Sequence, residues 1–511
     1  MAPTIHPLED ICRWIAAAAP GGKLVSDSRR VQAGDVFFAY PGDAQDGRRY
    51  IAAAVAAGAA AVVHDDSGFA WDDSLDVRHL AVPGLKAQAG AIAHACLGQP
   101  DAGMFTVGVT GTNGKTSIAV WLGQALAKLG ETAAVIGTLG VGLFSGRAEP
   151  EFIETGYTTP DAVLLAANLA AVREAGARAL AIEVSSIGLE QGRTNGMHFD
   201  VAVFTNLTRD HLDFHGDMEN YEAAKRKLFA WPGLRSAVVN LDDPAGARLV
   251  DYLATQLPQV AVTGYTLQNE AEQPAIEGVA ILRAAHKRAR PAGTEFTLEA
   301  AGASLLVKTR LVGHFNISNA LAVLGTLLAK GVDIKRAAEA VEALTPAPGR
   351  MQQVGGQDAP LVVIDYAHTP DALEKTLAAL RQVATERGGA LWCVFGCGGD
   401  RDPGKRPQMG AIAQAADQVI VTSDNPRSEE PGAIIAQVVA GMNPDARHQA
   451  IEDRAAAILS AVKHAGKQDV ILLAGKGHEP YQEIKGKKLP FSDADHAALA
   501  LTARLTMMRT H

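Results

Sequence analysis

The chain has 511 residues, 48% of them hydrophobic and 5% aromatic, and a formal net charge of −9. At ordinary domain size that length calls for about three or four domains. The acidic balance and the thin aromatic content speak against a nucleic-acid binder, which usually presents a basic face or stacking platforms. No apolar run approaches the roughly 18 residues of a membrane span. The short apolar stretch Ile15 to Ala19 follows Glu9 and Asp10 rather than a basic leader. The expectation is a cytoplasmic monomer with no nucleic-acid partner and no membrane insertion. Four cysteines, at 12, 96, 393 and 397, make no disulfide framework in so long a chain and fit a reducing compartment. Cys393 and Cys397 have three residues between them rather than the two of a zinc knuckle, so buried thiols are expected there.

In chain order, the first block runs to residue 98. Strand-like LVSDSRR (24–30) is followed by the strand VFFAY (36–40), a helix over 50–59 and the strand AAVVH (60–64). The second block opens with the strand MFTVGVTG (104–111), a glycine-rich turn and a helix from Ser117 to Leu129. Apolar strands recur at 132–140, 178–186, 201–207 and 236–242, with helical stretches between them. Such alternation predicts a mainly parallel, doubly wound sheet. Residues 258–312 instead show short alternating runs that read as an antiparallel excursion. A helix over 316–331 closes the block, with Gly331 as its C-cap. After the link TPAPGR (345–350), strands at 361–368, 391–399, 418–424 and 469–477 each end in a glycine- or aspartate-bearing loop. Ligands of open parallel sheets collect at such carboxyl ends. The expected fold is α/β in three domains. A central doubly wound, mainly parallel sheet with a variant P-loop (99–344) is flanked by an N-terminal α/β domain (1–98) and a C-terminal Rossmann-like α/β domain (345–511).

Gly111, Thr112, Asn113, Gly114, Lys115 and Thr116 join a strand to a helix. Glycines let backbone N–H groups approach a triphosphate, and the helix N-terminus favours anions. Lys115 would meet the β/γ-phosphates of ATP, and Thr116 a Mg²⁺ ion. The loop is a variant, because Val109 stands where the general pattern has glycine. A phosphate loop alone leaves motor, switch, transporter subunit, kinase and ligase open. A structural glycine turn remains the bland alternative.

GVTGTNGKTS (108–117), EVSS (183–186), NLTRDHLDFHG (206–216) and HFNISN (314–319), read together, resemble the Mur ligase family. DYAHTPDAL (365–373), GCGGDRDPGKRP (396–407), TSDNPRSEEP (422–431) and GKGHEPYQ (475–482) continue the resemblance to the last block. They point to the branch that adds meso-diaminopimelate to UDP-N-acetylmuramoyl-L-alanyl-D-glutamate. The resemblance implies ATP-dependent amide formation through an acyl phosphate, with Mg²⁺. Lys115, Lys225 and His211 would carry catalysis. Thr116, Glu183, His211 and Lys225 as its carbamate (N6-carboxylysine) would hold metal. The blander alternatives are a solvated or paired strand-end carboxylate for Glu183, a structural histidine for His211, and a helix lysine that is solvated or paired with Glu222 for Lys225.

By the same resemblance Asn316, Asn319 and Arg350 join the phosphate loop in binding ATP, with Asp365 and His368 facing the same cleft. Asn316 could instead be an N-cap. Ser28, Thr158, Thr159, Ser185, Gln191 and Arg193 would hold the UDP-sugar dipeptide, whereas Asp43-Ala44 departs from the family's His-Gln and its contacts are in doubt. Arg401, Asp424, Asn425, Pro426, Arg427, Gly475 and Glu479 would hold diaminopimelate. Arg427 would bind the distal carboxylate bidentately and so exclude lysine. By itself DNPR is an Asx-Pro turn with an exposed arginine. Other readings are a lysine-adding relative, a folylpolyglutamate-type ligase or, in another class, a nucleotide-gated binding or transport ATPase. With the ligands spread over three blocks, domain closure is expected.

Overall fold

The structure is a computed structural model that describes residues 7–43, 45–146, 150–290, 293–300, 302–356, 358–445 and 447–509. The chain divides into two compact units, one of Met1–Gly264, Ile276–Ala280 and Gly325–Asp333, the other of Tyr265–Ala275, Ile281–Leu324 and Ile334–His511.

The first unit holds two sheets. Strands β1 (Leu24–Val25), β2 (Val36–Ala39), β3 (Ala61–His64) and β4 (Arg78–Ala81) lie side by side in sequence order, all parallel. Val36, Phe38, Ala61 and Val63 pack one face against helices Leu8–Ala18 and Leu85–Cys96, whose Ile11, Ile15, Leu85 and Ile92 are buried. The strand expected over 24–30 is cut short. Asp27 accepts a hydrogen bond from the Arg29 amide and turns Ser28–Arg30 into a 3₁₀ segment. Cys12 and Cys96 are joined in a disulfide between those two helices, a pairing that the reading of the cysteines as no disulfide framework in a reducing compartment did not include. The residues are 84 apart in sequence, and only helix packing brings them together.

The larger sheet contains β5 (Phe105–Thr110), β6 (Ala133–Gly137), β7 (Gly140–Phe144), β8 (Ala179–Glu183), β9 (Val201–Phe204) and β10 (Ser236–Asn240), in spatial order β10-β9-β5-β8-β6-β7. All neighbours are parallel except the β6–β7 hairpin. Its near-continuous burial explains why these strands read as apolar runs rather than alternating ones. The chain then continues through β11 (Ala261–Thr266).

The strands β12 (Val279–Arg290), which enters the second unit at Ile281, β13 (Gly293–Ala300) and β14 (Ala303–Thr309) form the expected antiparallel excursion. Six strands follow: β15 (Gln352–Gly355), β16 (Leu361–Asp365), β17 (Leu391–Phe395), β18 (Gln418–Val421), β19 (His448–Ala450) and β20 (Val470–Ala474). Their order is β15-β16-β20-β17-β18-β19, parallel except at β15. Successive residues point to opposite faces. Val363, Cys393, Phe395, Val421 and Leu472 therefore pack on one side, and Ile364, Val394, Ile420, Ile471 and Leu473 on the other. Cys393 and Cys397 are buried, and burial pushes both thiols up to about 12. A hairpin, β21 (Tyr481–Ile484) with β22 (Lys487–Pro490), completes the unit and was not legible from the sequence. No helix among the described residues is long and apolar enough to cross a membrane.

Candidate active site

The loop after β5 turns on two glycines with positive φ. A Cβ at Gly111 (φ 143°) would sit 1.8 Å from Thr205 Oγ1, so no side chain fits there. Gly114 (φ 90°) leads into the helix Lys115–Lys128. The 206–208 segment braces the loop. The Thr112 amide donates to the Asn206 carbonyl and the Asn113 amide to Asn206 Oδ1, both at 2.9 Å. Lys115 Nζ folds back over the loop, donating to the Gly111 and Thr112 carbonyls at 2.9 Å each. That placement holds an ammonium where phosphate oxygens would meet the loop amides.

Glu183 ends β8 with 1% of its surface exposed. Its Oε2 accepts from Thr116 Oγ1 at 3.0 Å and Thr138 Oγ1 at 3.2 Å, and its Oε1 from the Thr138 amide at 2.8 Å. A Cβ at Gly137 would lie 2.1 Å from Oε1, so the glycine makes room for the carboxylate. A buried carboxylate beside a hydroxyl at the head of a phosphate-loop helix is the oxygen donor set that suits Mg²⁺. No cluster of three or more His, Cys, Asp or Glu side chains around one point occurs among the described residues.

Lys225, on the helix Met218–Arg226, is 2% exposed. Its Nζ donates to the Gly111 carbonyl at 3.0 Å and stands 4.3 Å from the Tyr221 ring centroid. Burial, reinforced by the Lys115 charge, pushes its pKa well below that of an ordinary lysine. The alternative pairing with Glu222 is not made, because that carboxylate is taken by Arg226 and Arg248. His211 (φ 52°) precedes the short helix Leu212–His215. Burial first, then the Lys115 and Lys225 charges, lower its pKa. His215 is buried against Ser186 Oγ at 2.9 Å, a structural contact.

Next to β8, Thr159 Oγ1 donates to the Glu183 carbonyl at 2.9 Å and lies 3.0 Å from Ser185 Oγ. Ser185 also caps the helix Ser186–Glu190, accepting from the Gly188 amide. Thr158 Oγ1 is 3.2 Å from Thr138 Oγ1. Arg193 donates through Nη1 to the Thr159 carbonyl and through Nε to Gln191 Oε1, both at 2.7 Å, with its guanidinium over Tyr157. Ser28 lies half-buried in the 3₁₀ turn after β1. Ala44 lies outside the described residues.

In the second unit Asn316 is not an N-cap. The helix begins two residues earlier, at His314, and Asn316 Nδ2 donates back to the Val312 carbonyl at 2.8 Å. Asn319 is buried one turn on. The Arg350 guanidinium stacks over Tyr366 at 4.5 Å. Asp365 accepts from the Met351 and Ala367 amides, and burial outweighs these bonds and raises its pKa. His368 turns its Nδ1 to the Tyr366 carbonyl at 2.7 Å. A Cβ at Gly349 would lie 2.1 Å from the His478 amide nitrogen, so the PAPGR link and the GKGHEP loop touch backbone to backbone.

The DNPR turn joins these loops. A Cβ at Gly399 would meet the Pro426 carbonyl at 2.0 Å, and one at Gly475 would meet Asp424 Oδ2 at 2.5 Å. Arg427 holds a left-handed backbone (φ 51°). Its Nη1 donates to the Gly399 carbonyl at 2.8 Å, and its Nε lies 3.4 Å from Glu483. Asn425 Nδ2 donates to Glu479 at 2.8 Å, and burial raises the Glu479 pKa. Arg401 is exposed on the Gly398 side of the turn, its Nη1 on the Asp400 carbonyl.

Three family models match the chain: the Mur ligase family catalytic domain over 24–94, the Mur ligase middle domain over 109–327 and the Mur ligase glutamate ligase domain over 349–477. A UDP-N-acetylmuramoyl-L-alanyl-D-glutamate–2,6-diaminopimelate ligase of Janthinobacterium sp. (strain Marseille) is 61% identical over 98% of both chains. The chain belongs to the Mur ligase family. A solved ligase of the same description is 36% identical, with a TM-score of 0.66 over 94% of this chain and 95% of that one. A Mur ligase from Thermotoga maritima, solved with ADP, shares the fold at 19% identity, a TM-score of 0.64 and 95% and 98% coverage. As a Mur ligase the protein is an ATP-dependent ligase.

Three residues of this Mur ligase were missed by sequence reasoning. Lys476 is wholly buried, with its Nζ 3.1 Å from Asn425 Oδ1, 3.2 Å from Glu479 and 3.8 Å from Asp424. It lies inside the GKGHEP motif and could have been singled out. Arg454 makes a fully buried bidentate pair with Asp493 and donates to the Ser423 and Ala474 carbonyls, which immediately precede the DNPR and GKGHEP loops. Nothing in its sequence neighbourhood marks that role. Glu483 is placed by the β21–β22 hairpin, whose backbone bonds to Arg427 and Asn425.

Proposed function

We propose that the protein adds meso-diaminopimelate to UDP-N-acetylmuramoyl-L-alanyl-D-glutamate, with ATP converted to ADP and phosphate, in peptidoglycan precursor synthesis. The 61% identity to a ligase of that description over 98% of both chains carries this reading. The division into domains 1–98, 99–344 and 345–511 belongs to the same proposal, as does action as a cytoplasmic monomer.

Gly111 to Thr116 bind the triphosphate, and Lys115 neutralises charge on the transferred phosphoryl group. Thr116, Glu183, His211 and Lys225, the last as a carbamate, would hold Mg²⁺, which would neutralise phosphate charge when bound. The buried hydroxyl–carboxylate pair of Thr116 and Glu183 supports that assignment. A buried lysine with a depressed pKa keeps the neutral amine that CO₂ requires, which supports the carbamate. Ser28, Thr158, Thr159, Ser185, Gln191 and Arg193 bind the UDP-sugar dipeptide and orient its free glutamate carboxylate. ATP phosphorylates that carboxylate to an acyl phosphate. The amine of diaminopimelate attacks the acyl carbon, the C–O bond to phosphate breaks, and the amine proton is lost. Asn316, Asn319 and Arg350 are assigned to ATP by the same reading.

Arg401, Asp424, Asn425, Pro426, Arg427, Gly475 and Glu479 hold diaminopimelate. Arg427 receives the distal carboxylate, and Glu479 with Asp424 receives an ammonium group. Phosphate release from ATP should require both the UDP-dipeptide and meso-diaminopimelate. Release that needs neither would sink the ligase reading, and equal use of lysine would sink the specificity.

A further inference from the structure

Asp43 stands out because one carboxylate occupies donors that belong to two distant stretches of chain. It accepts from Gln191 Nε2 at 2.5 Å across 148 residues and forms an ion pair with Lys86 Nζ. The other end of the Gln191 amide accepts from Arg193 Nε at 2.7 Å, and the Arg193 charge also acts on Asp43. An ammonium and an amide N–H thus hold one anion, and the charge of a guanidinium bound to the same amide acts on it. A phosphate group would ask for the same donors. The pair is not buried: the Lys86 and Asp43 side chains are 38% and 44% exposed. An exposed ion pair adds little to stability, so fold maintenance does not explain it.

We infer that Lys86 is a binding residue for the diphosphate of the sugar nucleotide, and that Asp43 is its resident counter-ion, displaced from Lys86 and Gln191 when the diphosphate enters. This rests on the functional reading above, in which Gln191 and Arg193 bind that nucleotide. The exchange is noncovalent. The diphosphate oxygens take over the Lys86 and Gln191 donors, and Asp43 turns to water. Asp43 thereby holds affinity down. A diphosphate, with its greater charge, competes with the carboxylate better than a singly charged group does, so the pair also sets a preference for charge.

The test is a double-mutant cycle on the full chain, with the dissociation constant for UDP-N-acetylmuramoyl-L-alanyl-D-glutamate read by calorimetry and thermal melts confirming the fold. Lys86→Gln should weaken binding about tenfold, and Asp43→Asn should tighten it about threefold. In the Lys86→Gln background the gain from Asp43→Asn should shrink to the part that comes from freeing Gln191. Weakening by Asp43→Asn to the level of Lys86→Gln would mean the pair only braces the loop, and would overturn the inference. A gain of undiminished size in the Lys86→Gln background would also overturn it, because Asp43 would then act only through overall charge. Failure of the unmodified chain to bind the nucleotide would instead overturn the functional reading beneath it.

Discussion

The phosphate-loop region of the first unit and the DNPR region of the second both gather basic side chains, but they balance them differently. Around the phosphate loop the basic side chains donate to neutral oxygens. Lys115 and Lys225 donate to backbone carbonyls, and Arg193 to a carbonyl and an amide oxygen. Around DNPR they rest on carboxylates: Arg427 on Glu483, Lys476 on Glu479 and Asp424, Arg454 on Asp493. Basic groups held on carbonyl dipoles keep donors to offer a polyanion such as ATP or a diphosphate. A balanced set suits a zwitterion, whose carboxylates and ammonium groups each need a partner of opposite sign. The difference in electrostatic layout therefore follows the difference in proposed ligands.

The largest expected effect comes from breaking the first pattern. Lys225→Ala should lower the rate of phosphate release by about a thousandfold, the scale of losing a group that stabilises transition-state charge. A short added carboxylate should restore part of that rate by standing in for the carbamate. A variant that keeps its fold and shows no rescue would leave Lys225 as a structural lysine. Breaking the second pattern should do less. Arg427→Ala should raise the KM for diaminopimelate by about thirtyfold or more, since losing one partner of a desolvated charge pair costs about 2–5 kcal/mol. The KM for ATP should change by less than about threefold. A uniform effect on both would assign Arg427 to loop structure.

How much of this was legible in the sequence follows the same divide. Local chemistry was readable wherever a motif carries its own geometry. The phosphate loop needs glycine at 111 and 114, and both show positive φ. The apolar strands at 361–365, 391–395 and 470–474 form the parallel sheet their patterning predicted. What long-range packing decides was not readable. The β21–β22 hairpin brings Glu483 to Arg427 across a turn with no motif, and the helix Arg454–His464 reaches under two loops at once. The Cys12–Cys96 pairing and the Asp43–Lys86 pair have the same origin, in residues far apart in sequence and joined only by the fold. The N-cap alternative for Asn316 fails for a local reason. The helix gains its first turn from His314, so the asparagine falls inside the helix rather than at its cap.

Glu483 sharpens the comparison further. Its carboxylate lies 3.4 Å from Arg427 Nε, with both side chains partly exposed at 28% and 21%. It stands where a ligand carboxylate would compete for the same guanidinium. Glu483→Gln should keep the hairpin bond and remove the charge. The KM for diaminopimelate should then fall about threefold, consistent with the ~1 kcal/mol or less of an exposed pair. A rise of that size would show that Glu483 orients Arg427 rather than competing for it.

The smallest effect tests where the first unit does use carboxylates. His198 Nδ1 lies 2.9 Å from Asp101 Oδ2, and its Nε2 lies 3.1 Å from the Met104 carbonyl and 3.5 Å from Asp200. Both ring nitrogens face acceptors, so the ring is held as an imidazolium. The Asp101 hydrogen bond, then that of Asp200, raises its pKa to about 10. A folded-state pKa above the unfolded value of about 6.5 gives stability that is complete below about pH 6.5 and lost as pH rises towards 10. The His198 side chain is 39% exposed, so solvent screening makes the contribution modest. Denaturant melts between pH 6 and 10 should show a decline in the unmodified chain that His198→Asn lacks. Equal slopes would mean the imidazolium is not held, and that this cluster, like the phosphate loop, works through neutral contacts.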